Sequence, residues 1–282
     1  MASQVADYEI TSVVADDGTL PCLRARRPPR LGEGPDQVTI WVLGPLARTP
    51  WAVARTRLEP VAAVRSPGLP DWLEAGVGEW AQRSVVWASA TTPVTATLAS
   101  PPPDLDIAAR LRAVAGAARG AHALHEHGQL HAAICPQAIA LTAPGEPGQA
   151  GFTSTGQGTV GAALAPPSLA DGDQPLAQIG YPPLAYMDPQ LLRGEGGRWS
   201  DIWALGATAH YALTGSAPFP GIEDLPVVQA LAQLLMAPAP ARRELPAPVS
   251  SLVAGCLAPD PADRPSTAEE VARHLDEAAA NW

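Results

Sequence analysis

The side chains best suited to chemistry gather in one short stretch. His122, His125, His127 and His131 lie close together, and Cys135 follows. Such a cluster offers metal ligation or proton transfer, and a thiol offers a nucleophile or a soft ligand. No three of these histidines share the i, i+4 spacing that stacks ligands on one helix face. Ordinary core or surface histidines are therefore expected, and no metal. Cys135 has no lysine near it to lower its pKa, so an inert thiol is expected. Cys22, Cys135 and Cys256 are widely spaced and odd in number, which suits a reducing cytoplasm and neither a disulfide frame nor a zinc site. The chain contains no lysine at all; its 18 basic residues are all Arg. That excludes lysine Schiff bases, P-loop and Ser–Lys chemistry, and any phosphate-clamping lysine. Coding bias of a GC-rich genome accounts for much of that scarcity. Thr153, Ser154, Thr155, Thr159 and Ser168 sit in a Gly/Pro-rich stretch, where a phosphate would add charge and strong acceptors.

The surrounding composition narrows the function classes. A net charge of −10 over 282 residues argues against nucleic-acid binding, which needs a basic patch. No run of 18 apolar residues exists, so no direct membrane insertion is expected. The opening MASQVADYEI lacks the basic and apolar regions of a signal peptide. A cytoplasmic protein follows as the expectation, tethered to a membrane only if the chain is part of something longer. The 32 prolines imply many stiff loops.

The elements that must position these groups fall into two parts. Tyr8–Val14, Cys22–Arg26, Val38–Leu43 and Ser84–Ala90 read as strands, the first closed by the turn Asp16-Asp17-Gly18. Residues 51–64 read as a helix, kinked or ended by Pro60. Thr91–Pro103, with four prolines, reads as a linker. From Asp104, apolar positions recur every three or four residues, giving a helix that ends near Gly128. Residues 142–185 read as an irregular loop. Ser200–Thr214 is apolar all round, the mark of a buried helix, with Ser200 as its expected N-cap. Leu225–Met236 and Pro248–Leu257 read as further helices. A last helix should start at a capping box, Ser266 to Glu269.

In this order the elements resemble the protein kinase fold, and the bacterial Ser/Thr kinases in particular. LHEHGQLHAAICPQAIAL (124–141) is similar to that family's catalytic-loop stretch. YMDPQLLRG (186–194), SDIWALG (200–206) and CLAPDPADRPSTAEEV (256–271) resemble its later motifs. The resemblance implies an α+β, bilobal kinase-like fold, with a small divergent β-rich N-lobe (1–92) and a larger, mainly helical C-lobe (93–282).

The family's chemical positions are degenerate. Its catalytic Asp falls on Ala133, the preceding Arg on Ala132, the loop Lys on Cys135 and the metal-holding Asn on Ala138. The Asp of its Asp-Phe-Gly triplet is best matched by Ser154, and the strand lysine by Trp41. Its glycine-rich loop is reduced to Ala15-Asp16-Asp17-Gly18. Phosphoryl transfer rests on positioning and on charge neutralisation by metal and cationic groups. The resemblance thus implies a pseudokinase that is not an enzyme and uses no cofactor. Three architectural residues remain: His131 in the loop, Asp201 fixing its backbone, and Arg264. The Glu that Arg264 pairs with in the family is Gln190 here, so a weaker anchor is expected. Thr39 and Trp41 share one strand face. The Trp41 indole either fills the nucleotide space or packs against helix 51–64.

The function implied is a scaffold or allosteric regulator in bacterial Ser/Thr phosphosignalling. The alternative is a nucleotide- or ligand-sensing domain, or an unconventional transferase that reuses the cleft. Expected partners are an active kinase, a forkhead-associated domain protein reading a phosphorylated Thr153, Thr155 or Thr159, or a membrane-associated complex. A dimerisation module is a third reading.

Overall fold

The structure is a computed structural model that describes residues 4–47, 49–142, 161–167, 169, 182–192, 194–219, 221–236 and 247–282. Its first part is one antiparallel sheet. The strands are β1 (Gln4–Val5), β2 (Tyr8–Ala15), β3 (Cys22–Arg26), β4 (Gln37–Pro45), β5 (Trp72–Trp80) and β6 (Arg83–Ala90), in the order β1-β2-β3-β4-β6-β5. Helix α1 (Trp51–Ala63) connects β4 to β5. Pro60 lies inside α1 without ending it. It removes one i→i−4 bond, to the Thr56 carbonyl, and the helix runs on for three residues beyond it.

The sheet curls until β1 approaches β5. A Cβ on Gly78 would come within 2.9 Å of the Ala6 backbone nitrogen, so only glycine permits that approach. The curled interior holds Val5, Tyr8, Leu23, Ile40, Val42, Val85 and Trp87, all buried. Tyr8 and Trp87 meet edge to face at 5.2 Å between ring centroids. The Tyr8 hydroxyl donates to Glu74 at 2.6 Å and shares a 3.0 Å bond with Ser89. Arg30 bridges Asp7 and Glu74 across the rim. The opposite face buries Leu20, Cys22, Trp41 and Ala88 in one cluster with Ala54, Leu58 and Val61 of α1.

The second part is mainly helical. β7 (Val94–Thr97) leads into α2 (Ile107–Glu126), whose N-cap Asp106 accepts from the Ala109 N–H at 2.7 Å. β8 (Ile139–Thr142) and β9 (Gly161–Leu164) complete a three-stranded sheet in the order β7-β8-β9. Then come α3 (Pro189–Leu192), α4 (Arg198–Thr214), α5 (Val227–Met236), α6 (Ala247–Cys256) and α7 (Ala268–Ala280). α4 is buried on nearly every side and packs on α2 and α6. At Gly206 a Cβ would lie 2.3 Å from the Cys256 Cβ, which fixes how closely α6 approaches. α7 packs along α2, with Arg119 paired to Asp276. Sheet-rich part and helices together form a mixed α and β fold compatible with the kinase-like expectation.

Three local expectations are corrected. Residues 91–103 are not only a linker, because β7 forms within them. α4 starts at Arg198, before Ser200, whose hydroxyl accepts from the Gly197 N–H at 3.4 Å. The last capping box sits one residue later. Thr267 accepts from the Glu270 N–H, and the Glu270 carboxylate accepts from the Ser266 N–H and hydroxyl.

A fourth correction concerns Arg264. Its guanidinium donates two bonds to the Asp188 carboxylate, at 2.8 and 3.1 Å, and not to Gln190. It donates further to the carbonyls of Trp199 and Ala258. Asp188 also accepts from the Ser200 hydroxyl and the Gln190 N–H. Both side chains are buried, at 1% and 0% exposure. The weakened anchor expected from Gln190 is therefore replaced by a fully bonded ion pair two residues earlier. Breaking a buried pair strands the remaining charge. Asp188→Ala should cost about 3–5 kcal/mol in urea unfolding. Gln190→Ala, which loses one exposed bond to the Pro259 carbonyl, should cost about 1 kcal/mol or less.

Candidate functional site

The candidate site is built on the loop that precedes β8. Asp201, in the first turn of α4, is buried and accepts the His131 N–H at 2.9 Å and the Ala132 N–H at 2.8 Å. The His125 Nε2 lies 2.8 Å from the same carboxylate. Burial pushes the Asp201 carboxyl up, but the His125 hydrogen bond, the two histidines and the loop amides outweigh it. The net result lies below the usual carboxylate range. Ala132 is held at φ 56°, a left-handed conformation that costs an ordinary residue about 1–2 kcal/mol. The Asp201 bond to its N–H offsets that strain.

His131 is fully buried, and its Nε2 lies 2.8 Å from the Ala165 carbonyl, just after β9. Only a protonated Nε2 can donate to a carbonyl, which leaves Nδ1 as the lone-pair nitrogen; it has no partner. Burial lowers the His131 pKa, while Asp201 opposes that and His125 adds to it. The contact also sets which residue after β9 faces the loop. It is Ala165; Ser154, matched from sequence to the Asp of the Asp-Phe-Gly triplet, lies outside the described residues.

The positions that matched chemical groups are filled by small buried side chains. Ala133, Cys135 and Ala138 are at most 1% exposed. Burial pushes the Cys135 thiol up to about 12, so no thiolate forms near neutral pH. The Trp41 indole is fully buried beneath the sheet, with its ring centroid 5.6 Å from that of Trp72 on β5. Among the described residues, no three His, Cys, Asp or Glu side chains converge as a metal site.

The sheet of β7 and β8 is joined directly to the loop before it. β7 pairs with β8, and the Leu98 and Ala99 N–H groups donate to the Ile139 and Pro136 carbonyls. The tip of the β2–β3 hairpin lies at this junction, where the nearby Gln137 side chain helps to hold the Asp17 carboxyl below the usual carboxylate range. A cavity of about 70 Å³ lies there, lined by Asp16, Asp17, Thr97, Ser100 and Gln137 among others. Ligand pockets usually measure roughly 300–1,000 Å³. Sequence reading missed Asp188. For Asp188 a signal existed: a carboxylate two places before Gln190, in a segment expected to meet Arg264. Thr153, Thr155 and Thr159 lie outside the described residues.

No family model matches the chain. It is distantly similar to bacterial protein kinases. Over 165 residues it is 32% identical to the serine/threonine-protein kinase PknK of Mycobacterium tuberculosis, covering 57% of this chain and 14% of that protein. Over 176 residues it is 34% identical to the tyrosine-protein kinase MasK of Myxococcus xanthus, covering 59% of this chain and 26% of that protein. The chain thus spans about a quarter or less of the length of these relatives. These names correct one expectation. The chain was read as no enzyme from its motif losses, yet the proteins it resembles are named as kinases. Among the described residues, no helix is long and apolar enough to cross a membrane.

The buried His131 gives a pH dependence of known sign. Its unfolded-state value is near 6.5, and in the fold it is lower. Below pH 6.5 the unfolded chain takes up a proton that the folded chain refuses. This group's contribution is therefore intact above pH 6.5 and is lost as pH falls. The slope approaches about 1.4 kcal/mol per pH unit. Urea unfolding at pH 7.0 and 5.5 checks this, and His131→Gln should flatten the difference.

Proposed function

We propose that the chain is a bilobal protein-kinase-like domain, divided near residue 92, that serves bacterial Ser/Thr phosphosignalling from the cytoplasm. It acts through protein–protein contacts, as a scaffold or an allosteric regulator of an active kinase. One observation carries the reading: the anchoring framework is intact while the positions it would hold ready are apolar. Asp201 binds the loop backbone and Arg264 is fully paired, yet Ala133, Cys135 and Ala138 fill the interior beneath them. Such an arrangement preserves the shape of the surface. Forkhead-associated domain proteins and membrane-associated complexes are further partners of the same kind.

The kinase names of the relatives favour a second reading, a nucleotide-responsive or transferase domain that reuses the cleft. One reconstitution separates the two. The purified chain is mixed with an active Ser/Thr kinase domain from the same organism, and both sedimentation and substrate phosphorylation are followed. A regulator forms a complex and shifts the kinase rate by about fivefold or more. An unchanged rate with no complex refutes it. Labelling of an acceptor protein by the chain alone, with magnesium and ATP, establishes the second reading.

A further inference from the structure

A single residue after β9 clamps both ends of the loop. The Ala165 carbonyl accepts from His131 Nε2 at 2.8 Å, and the Ala165 N–H donates to the Ala138 carbonyl at 2.7 Å. From the other side, Asp201 accepts the His131 and Ala132 amides. Residues 129–134 belong to neither helix nor strand, so no backbone ladder supports this stretch. Within it, Ala132 is strained at φ 56°. The grip of His131 also depends on its charge. With the Nε2 proton spent on Ala165, a second proton must go to Nδ1, which is buried and has no acceptor. The imidazolium would be a buried charge with an unmatched donor, and both are costly. Among the described residues, the titratable groups that act on it are Asp201 from α4 and His125 from α2; the residue after β9 offers a backbone carbonyl. Burial and His125 oppose the second proton, Asp201 favours it, and burial prevails.

We propose that the loop is an acid-operated latch: protonation of His131 releases residues 131–135 from Ala165 and Asp201 while the sheet and the surrounding helices stay folded. Opening gives the imidazolium its water and frees Ala132 from its left-handed conformation. It also uncovers Ile134 and Cys135, both fully buried while the loop is closed. The opening is local because this stretch is held mainly by side-chain bonds, whereas α2 and α4 carry complete helical ladders. Histidine suits the task, since its free form changes charge between about pH 5 and 8.

The three cysteines report where the chain opens. Cys135 lies in the latch, Cys22 in β3 and Cys256 in α6, and all are buried. The intact chain is treated with dithiodipyridine, which attacks thiols in acid as well as at neutral pH, and labelled peptides are resolved by mass spectrometry. Each rate is divided by that of a free cysteine peptide at the same pH. Between pH 7.0 and 5.5, Cys135 should label severalfold faster, up to about eightfold for one proton and a free value near 6.5. Cys22 and Cys256 should stay protected. His131→Gln can still donate to the Ala165 carbonyl but takes up no proton, so its Cys135 should label at one rate at both pH values. Equal acceleration of all three cysteines (global unfolding), an unchanged Cys135 rate, or an acid response that survives in folded His131→Gln would overturn the proposal. Should His131→Gln not fold, the ratio of Cys135 to Cys22 labelling in the parent chain decides alone.

Discussion

The structure around the loop depends on one buried carboxylate. Asp201 is 1% exposed, and an unpaired charge in that position would be very costly. It is tolerated because two backbone amides and His125 converge on it from different elements. The same bonds satisfy donors of a segment that belongs to neither a helix nor a strand. They also hold Ala132 in a conformation that alanine avoids. Position follows from this for everything downstream. Ala133 to Pro136 and Ala138 are buried because the start of the segment is pinned to α4, and β8 pairs in register because the segment before it is fixed. His131 extends the chain of contacts to Ala165, beyond β9.

The second anchor shows how a constraint survives when its residue does not. A buried guanidinium demands a carboxylate nearby, but not at a particular sequence position. Asp188 lies two residues before Gln190, and the short α3 follows it. From Asp188 the carboxylate reaches Arg264, while the Gln190 amide turns to the Pro259 carbonyl. Motif matching reads residue identity at fixed offsets, so it registers only the loss of Glu. Charge balance registers the gain of Asp. Arg264 buried with no partner would have been the less stable outcome, and the fold avoids it.

The same contrast explains what was legible in the sequence. β3, and β4 and β6 to within two residues, were readable because β-branched and aromatic runs are bounded by turn residues. α4 was readable from its unbroken apolar character. β5 was not, because Gly76 and Gly78 interrupt its pattern; they are there to admit the Trp87 ring and the Ala6 backbone. Its turn to β6 is made by Ala81 and Gln82, both at positive φ, where Gly, Asn or Asp would have been the usual signal. β7 was hidden among prolines, since its pairing with β8 depends on a contact 45 residues away. In the site, Asp201 and His131 were legible as motif positions. Asp188 was not, because it stands two places before the motif position that Gln190 occupies.

Two kinds of contact hold the small cavity beside Gln137 closed, and they differ in how easily they yield. β7 is tied to β8 by a ladder of backbone bonds, continued by the Leu98 and Ala99 amides. Opening that ladder strands several buried peptide groups at once, each costing on the order of 1–3 kcal/mol. The hairpin tip is held differently. Asp16, Asp17 and Gly18 are exposed, and the catch on Gln137 is a single polar contact. Such a contact contributes about 1–3 kcal/mol at most. A ligand larger than the cavity must therefore gain its space from the hairpin side, by displacing Asp17, and not from the β7 side. The carboxylates at the tip then decide which ligands do so. Anions meet repulsion there, because Asp16 and Asp17 are both exposed at the tip.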